Sequence, residues 1–501
     1  MPLSSDCEGD DSISIWPVSL RLCSVRAIRR FLYIAPAFIA GCLTSGYGDA
    51  TELAPQLRRP IAAAKVSGDR LLVANQRSGT VSIVDLSART VAAEATVGSE
   101  LSDLIALVDG NHFLASDQKR HELVLLGLNE GKPNVIRREP TVRYPARMVT
   151  SQDGRRVYVA GLWSHSLQAF ELRIDSDPTI SASRIITLPF APRELLHSAE
   201  QDKLIVTAAF GGEIAIVDAT DFKVERMHQT GLTNIRGLAL SQDRRTVYLA
   251  CQEISQQAST TRQDIDLGRL INNVVRVLDV DDLLGSKIDL DDDGRTLPLG
   301  GAGHGAGDPS SLTVLDDHRL AVTLGGTNEL LIVNVDNSQV QTSPVGRNPS
   351  AVIFATRPLQ MIVLNRLADS LSIAPVDSPA QSIEISLGPQ PELSPSDQGE
   401  LLFYNSKLSR DGWMSCHSCH TDGHSNGRLV DTFGDGDYGA PKRVLTLLGV
   451  GLTDTWAWNG QIKELHQQVD RSITSTMHGG QDMDVWFKDI EVMRLDELKC
   501  E

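Results

Sequence analysis

Residues 71–85 read LLVANQRSGTVSIVD, an apolar run, a Ser-Gly turn and a second apolar run that ends in Asp. The same unit returns as LIVTAAFGGEIAIVD at 204–218, as AVTLGGTNELLIV at 321–333 and as MIVLNRLADSLSI at 361–373. Short runs rich in β-branched residues and separated by turn residues predict antiparallel strands joined by hairpins. Their recurrence every ~40–47 residues predicts that one small sheet is repeated around an axis, as in a β-propeller.

The repeats span residues 58–391 and predict seven blades. The blades are expected to begin near Arg59, Leu101, Pro145, Pro192, Ile235, Pro309 and Pro349. The fifth unit is longer because of insertions at about 253–273 and 285–307. A β-sandwich is the alternative architecture, but seven evenly spaced units favour a closed ring. The units resemble the YVTN-type propeller repeats of exported bacterial proteins, a resemblance that implies a fold rather than an activity.

Composition excludes several classes of protein. The chain has 501 residues, 41% of them hydrophobic and 22% charged, which is typical of a globular protein rather than a polytopic membrane protein, a coiled coil or a disordered chain. The formal net charge of −17 argues against nucleic acid as a partner, because affinity for the phosphate backbone comes from Lys and Arg.

The first fifty residues predict an export signal. Arginines precede an apolar run of ten residues, Phe31–Ala40, which is too short to cross a bilayer as a stable helix. Ile39–Cys42 resembles a bacterial lipobox, so Cys42 is expected to carry lipid and to anchor the protein at the membrane without a transmembrane helix. A plain signal peptide cleaved after Ala50 is the alternative. Either interpretation predicts the periplasm or the cell envelope.

Three further features lie outside the repeated strands: an acidic stretch and a histidine in the fifth unit, and a Pro/Ser-rich stretch after the seventh. Asp289–Gly294 matches the opening of a calcium loop, but the twelfth position is Gly300, which has no side-chain ligand. An acidic solvated loop is therefore favoured over a Ca²⁺ site. His304 is expected to be a loop residue at the propeller mouth rather than a ligand. The Pro/Ser-rich stretch from Pro375 to Pro395 indicates a linker.

The chemistry is concentrated after residue 393, where Ser394 and Pro395 are typical of a helix start. Residues 416–420 read CHSCH, the attachment signal for one c-type haem. Two thiols three residues apart on one helical turn reach both vinyl groups of haem, and His420 then becomes the proximal ligand of the iron. Zinc held by Cys416, Cys419, His420 and His424 is a second interpretation. A Cys416–Cys419 disulfide is a third.

Several separated motifs agree in order and spacing with one family. They are Ser409–Gly412, Ser415–His420, Asp422-Gly423, Gly439–Val444, Trp456–Gly460 and Glu464–Val469. Residues 395–480 thereby resemble the first haem domain of bacterial di-haem cytochrome c peroxidases and of their relative, the methylamine dehydrogenase maturation enzyme. The resemblance implies a small, mostly α, cytochrome c-type domain. It also implies a peroxidatic haem with His420 proximal and with Trp458 and Gln468 in the distal pocket.

Two departures from the family pattern limit this inference. His478 occupies a position where the family has an acidic residue that handles protons, and a histidine can act there as acid or base. His478 or Met477 could instead be the sixth ligand of the iron, although a core position is favoured for Met477. The chain also lacks a second C-x-x-C-H, and residues 481–501 diverge from the family. A natural single-haem variant and the loss of a second half both remain open, and loss is favoured.

The sequence therefore predicts an exported c-type haem protein that acts in electron transfer or in peroxide-dependent oxidation. The expected partners are a redox protein or a small electron donor, with peroxide as oxidant and with the propeller as a docking or scaffold domain. One alternative is a six-coordinate haem that only relays electrons. Another is a propeller binding module whose haem domain is a non-functional remnant. No nucleotide-binding or serine-hydrolase motif is present in the sequence.

Overall fold

The computed structural model describes residues 53–175, 177–285, 294–356 and 359–479. Seven four-stranded antiparallel sheets follow one another along the chain, and each consists of four consecutive strands. This confirms the predicted fold class, a mainly β chain with a seven-bladed propeller. Cys42, the acidic stretch 289–293 and residues 481–501 lie outside the described residues.

The blades share one layout, in which the first strand lines the centre of the ring and the fourth lies at its rim. Blades one to four comprise β1 (Pro60–Val66), β2 (Arg70–Asn75), β3 (Thr80–Asp85), β4 (Thr90–Thr96), β5 (Leu101–Ala106), β6 (Phe113–Asp117), β7 (Glu122–Asn129), β8 (Lys132–Pro140), β9 (Pro145–Thr150), β10 (Arg156–Gly161), β11 (Ser166–Arg173), β12 (Thr179–Thr187), β13 (Pro192–Ser198), β14 (Lys203–Ala208), β15 (Glu213–Asp218) and β16 (Lys223–Gln229).

The fifth blade contains two short helices as well as its four strands. Blades five to seven comprise β17 (Leu232–Leu240), β18 (Thr246–Ile254), α1 (Arg262–Asp266), β19 (Ile271–Asp279), α2 (Val280–Leu284), β20 (Arg295–Pro298), β21 (Pro309–Val314), β22 (Arg319–Leu324), β23 (Glu329–Asn334), β24 (Val340–Pro344), β25 (Pro349–Thr356), β26 (Leu359–Asn365), β27 (Ser370–Pro375) and β28 (Ile383–Ser386).

Burial explains why these runs form strands of this length. The second and third strands of a blade are buried on both faces, because the neighbouring blades cover them, and they therefore appear as continuous apolar runs such as β2 and β3. The fourth strands are largely exposed and polar. For that reason β28 was missed: it lies within the stretch 375–395 that the sequence indicated as a linker, with only Ile385 buried.

The ring closes without strand exchange between its ends. β1 belongs to the first blade and β28 to the seventh, so closure depends on side chains. Leu71 and Val73 of blade one pack against Ile362 and Leu364 of blade seven. The buried carboxylate of Asp369 accepts hydrogen bonds from two successive backbone N–H groups, those of Arg58 and Arg59, at 3.0 and 2.7 Å.

The segment after the propeller contains little regular structure. Its elements are α3 (Pro395–Phe403), α4 (Cys416–Cys419), β29 (Leu429–Val430), β30 (Lys442–Arg443), α5 (Leu465–Arg471), one π-helical turn (Ser472–Thr476) and several 3₁₀ turns. Ser394 caps α3 as expected, with Asp397 completing a reciprocal capping box. The described residues from 53 to 479 belong to one compact unit, so this segment and the propeller are packed together.

The contact between the segment and the propeller is close at a glycine-rich loop. Backbone N–H groups of Gly305 and Gly307 donate to Asp411 and Gly412 carbonyls at 2.7 and 3.0 Å. A Cβ on Gly305 would lie 2.4 Å from the Cα of Trp413, so a side chain at that position would force the two regions apart. His304 lies in the same loop, where its Nε2 is 3.0 Å from the Glu329 carboxylate.

Helix lengths also bear on membrane insertion. Within the part of the chain that the structure describes, no helix is both long and apolar enough to cross a bilayer.

Candidate functional site

The two motif cysteines lie on a single helical turn, α4. Ser415 caps this turn: its Oγ accepts from the backbone N–H of His417 at 3.1 Å, and its own N–H donates to Ser418 Oγ at 2.9 Å. Residues three apart on a helix project from the same side, so Cys416 and Cys419 face a common space. Both are free thiols in the structure.

Burial controls the protonation of these thiols. It raises the pKa of Cys416 to about 11 and that of Cys419 to about 12, and the nearby Asp308 carboxylate acts in the same direction on both. Both groups are therefore neutral thiols at pH 7. Addition of an S–H group across a vinyl double bond, as in a thioether link to haem, starts from this form.

A backbone carbonyl orients the ring of His420. Its Nδ1 lies 2.9 Å from the carbonyl oxygen of Leu445, and because a carbonyl only accepts, Nδ1 carries the proton. The lone pair is then on Nε2, which is free to bind a metal. In metal-ligating histidines, the ring nitrogen that does not bind the metal usually donates its N–H to an acceptor such as a backbone carbonyl, and this fixes the orientation of the ring.

A propeller residue, Asp308, holds α4 in place. Its buried carboxylate accepts from the hydroxyl groups of Ser415 and Ser418, each at 2.5 Å, and from Ser406 at 3.3 Å. Gln252 of β18 donates to the same carboxylate at 3.3 Å. Asp308 thus satisfies three hydroxyl donors of the C-terminal segment, including both serines of the cysteine-bearing turn.

Two asparagines of the fifth blade bind backbone carbonyls of the same segment. Asn273 Nδ2 donates to Trp413 O at 2.9 Å, and Asn234 Nδ2 donates to Ser418 O at 2.9 Å. Both asparagines are buried, so these bonds are protected from water. The backbone on each side of the cysteine motif is therefore positioned by propeller side chains.

The structure connects Trp458 to His420 through one short stretch of backbone. Trp458 Nε1 donates to Arg443 O at 3.1 Å, two residues before the Leu445 carbonyl that binds His420. Trp458 is 55% exposed. Trp458 and the predicted proximal ligand therefore contact the same segment, 443–445.

Met477 and His478 have different surroundings. Met477 is 5% exposed and belongs to the apolar cluster that Cys419 and Val444 pack against, so it is a core residue beside the cysteine motif. His478 Nε2 lies 2.8 Å from the Thr260 carbonyl and must donate to it, which engages that nitrogen with the propeller. Gln468, on α5, donates through Nε2 to Ser472 Oγ at 3.1 Å, while its buried Oε1 has no partner among the described residues.

Neither competing interpretation of the cysteines is supported. Within residues 53–479, apart from the gaps in the description, no group of three or more His, Cys, Asp and Glu side chains converges on a metal position. His424, the fourth member of the zinc set, instead contacts Phe210 with a ring-centroid separation of 4.7 Å. The Cys416 and Cys419 sulfurs are free, so the structure does not contain the disulfide of the third interpretation.

The residues present fit a covalently bound haem. Two thiols on one turn and an imidazole with a free Nε2 supply the attachment points and one axial ligand. Large apolar side chains downstream of the motif are exposed, namely Leu445 at 46%, Leu452 at 92% and Trp458 at 55%. A macrocycle bound next to them would find an apolar surface to cover.

Sequence reasoning missed the propeller's part of this site. Asp308, Asn234 and Asn273 are polar residues of the repeats, and no motif marks them. The signal that could have found Asp308 is the preceding run GGAGHGAG at 300–307, since repeated glycines indicate close backbone approach.

Comparison with known proteins bears on the C-terminal segment first. Residues 396–495 match the family model of the di-haem cytochrome c peroxidases, and the match extends beyond the boundary at 480 expected from the sequence. The methylamine utilization protein MauG of Methylorubrum extorquens is 32% identical over 89 residues, which are 17% of this chain and 25% of that protein. The chain therefore spans about a quarter of the length of this relative.

The propeller has a counterpart among solved structures. A chain of Kuenenia stuttgartiensis hydrazine synthase superposes with a TM-score of 0.56, covers 66% of this chain and 100% of its own length, and is 16% identical. At that identity the likeness concerns the fold alone. The chain thus combines a seven-bladed β-propeller with a C-terminal region, residues 396–495, that matches the family model of the di-haem cytochrome c peroxidases.

Proposed function

We propose that this chain is an exported c-type haem protein whose single haem, attached at Cys416 and Cys419, serves peroxide-dependent oxidation. The observation that carries the proposal is the state of the C-x-x-C-H turn. Its thiols are free and share one helical face, and His420 already donates Nδ1–H to Leu445 O, which leaves Nε2 for the iron. The family match over residues 396–495 supports the choice of haem.

A haem bound here supplies an iron that exchanges single electrons with a partner. Reduction of hydrogen peroxide to two molecules of water consumes two electrons and two protons, so a redox protein or a small donor must deliver the electrons. Gln468 is suited to orient peroxide or water, because its buried Oε1 has no partner among the described residues and its amide nitrogen donates to Ser472. His478 has Nδ1 left for proton exchange while Nε2 donates to Thr260.

The propeller acts in this proposal as the scaffold that positions the haem-bearing turn. The hydrogen bonds of Asp308, Asn234 and Asn273 support this role, because each connects a buried propeller side chain to residues 406–418. Its exposed remainder is available to dock a redox partner.

Pure electron relay is a second candidate function, favoured by the position of Met477. Met477 is buried in the apolar cluster against which Cys419 packs. The thioether of Met477 is therefore close to the haem-attachment turn. A methionine as sixth ligand would exclude peroxide from the iron and leave an electron-transfer haem.

The test begins with the full chain produced together with c-type maturation enzymes. Intact mass and the pyridine haemochrome spectrum are expected to show one covalent haem per chain. A ferric spectrum that is high-spin and changes on addition of peroxide supports oxidation chemistry, whereas a low-spin spectrum that is inert to peroxide supports relay. Met477→Ala separates the two, since only a methionine-ligated haem becomes high-spin in that variant.

Cysteine variants provide the matched control. Cys416→Ala/Cys419→Ala is expected to abolish covalent haem, while Cys251→Ala, at a buried free thiol of β18 outside the motif, should leave haem content unchanged. A wild-type protein without covalent haem under these conditions would overturn the proposal. Equal loss of haem in wild type, in the double cysteine variant and in Cys251→Ala would show that folding, not attachment, had failed.

A further inference from the structure

The central channel of the propeller contains a cavity of about 630 Å³. Residues of all seven blades line it, and Tyr404, His417, Asp422 and Leu448 of the C-terminal segment form part of its wall. The volume is in the range of small-molecule sites, which is roughly 300–1,000 Å³. His417 lies on α4 between the two cysteines, so the cavity reaches the haem-attachment turn.

Most charged groups of this cavity have their own partners. The pairs are Arg147 with Asp103 and Glu194, Arg366 with Glu400, Glu100 with Gln118, and Asp308 with the serine hydroxyls. One corner is different. Arg193 and Arg236 both donate to a single oxygen, Oδ2 of Asp422, with Arg236 at 2.9 Å. Two guanidinium groups therefore share one carboxylate oxygen in this corner.

His417 adds another donor to the same corner. The backbone N–H of Asp422 donates to His417 Nδ1 at 3.1 Å, so the proton of the neutral ring is on Nε2. That Nε2–H lies 3.3 Å from Arg236 Nη2, where a donor faces a donor. An acceptor in the cavity that contacts both nitrogens from the side would relieve the mismatch, and an anionic acceptor forms the stronger hydrogen bonds to a guanidinium group.

Part of the cavity wall is aromatic. Trp163 lines the cavity, is 38% exposed and stacks on Phe210 with a centroid separation of 5.1 Å. Leu162 and Leu448 line the same cavity. A flat apolar group could lie against this surface while its charged end reached the arginines.

We infer that the propeller channel binds a small organic acid, whose carboxylate accepts from Arg193, Arg236 and His417 Nε2–H and whose apolar part contacts Trp163. Asp422 holds the two guanidinium groups in place and is at the same time the internal competitor of the bound carboxylate. The inference concerns a pocket on the propeller side of α4. It does not depend on peroxide chemistry at the haem.

The test measures binding to the full, haem-loaded chain by calorimetry, with tryptophan fluorescence as a second signal because Trp163 lines the cavity. Sodium benzoate is the probe, benzamide is its neutral counterpart of the same shape, and sulfate represents an inorganic anion. Saturable binding of benzoate with at least tenfold weaker binding of benzamide supports the inference. Equal binding of the two, tighter binding of sulfate, or no saturation by benzoate up to about 50 mM would overturn it.

Two charge variants are expected to change the affinity for benzoate in opposite directions. Arg236→Gln is expected to weaken benzoate about tenfold or more, because it removes a charged donor. Asp422→Asn is expected to tighten benzoate severalfold, since it removes the competing carboxylate. Arg319→Gln is the matched control, an arginine paired with Asp316 outside the cavity, and should leave affinity unchanged. If both cavity variants shift affinity in the same direction while wild type still prefers benzoate, Arg236 and Asp422 do not form the site.

Discussion

The blades of the propeller and the C-terminal segment obtain their structure in opposite ways. Each blade forms its hydrogen bonds within itself, strand to neighbouring strand, and packs apolar side chains against the next blade. The segment 395–479 has three short α-helices and one two-stranded ribbon, and buried groups of the propeller satisfy many of its polar atoms. The difference teaches that repeat packing specifies the propeller, whereas the C-terminal segment takes its geometry from the propeller.

The distinction also appears in the backbone at the contact. Between blades, contact occurs through interdigitating side chains such as Leu101 and Val81. Between the propeller and the segment, backbone meets backbone at Gly305 and Gly307, with no space for a Cβ. The side-chain interface between two blades can adjust to the gain or loss of a methyl group, but the backbone contact at Gly305 and Gly307 cannot.

The largest effect is expected from Phe113→Ala, which removes a fully buried ring between the first two blades. The cavity left behind should lower the free energy of unfolding by about 3–5 kcal/mol, measured by urea denaturation. The haem content of the protein that remains folded should not change, because the segment does not contact this cluster. Val135→Ala, at an exposed position of β8 in the same blade, is the control and should cost less than about 0.5 kcal/mol.

The next effect is expected from Asp308→Ala, which takes the common acceptor away from Ser406, Ser415 and Ser418. Leaving these buried donors unpaired should cost about 2–3 kcal/mol and should reduce covalent haem per chain. Amide hydrogen exchange should rise at residues 406–420 and stay unchanged in the distant second blade. Asp316→Ala, at a half-buried aspartate of the same blade that pairs with Arg319 and not with the segment, is the control. Uniform loss of protection throughout the ring would show that the segment is not separately dependent on Asp308.

The smallest effect is expected from Trp458→Ala in haem-free protein. The side chain is 55% exposed and makes one hydrogen bond, so stability should change by less than about 1 kcal/mol. In haem-loaded protein the loss should be larger, because a haem at Cys416 and Cys419 would cover this ring. Trp413→Ala, at 2% exposure, should be destabilising in both forms. An identical small loss in both forms of Trp458→Ala would place the haem away from that loop.

The blades could be read from the sequence because their information is local. A strand buried on both faces must be apolar, and a glycine or serine turn must follow it, so each repeat shows its own boundaries. The first strands begin at Pro60, Leu101, Pro145, Pro192, Leu232, Pro309 and Pro349, which confirms the predicted starts to within three residues. The outer strand β28 was missed because an exposed, polar edge strand has the composition of a loop.

The C-x-x-C-H motif could also be read directly, because two cysteines and a histidine at fixed spacing are visible in the sequence itself. The partners of that turn could not. Asp308 lies 107 residues from Ser415, and Asn234 lies 184 residues from Ser418. No periodicity connects such pairs, since their proximity depends on how the ring closes and where the segment returns across it.

The amino-acid sequence by itself thus determined the seven-bladed ring and the C-x-x-C-H turn, since strand periodicity and motif spacing act over a few residues. Only the tertiary structure decided that the turn rests on Asp308, that His420 donates to Leu445, and that Arg193 and Arg236 meet at one carboxylate in the propeller channel. The physical reason is that a buried polar group needs a partner, and chain closure determines which distant residue supplies it.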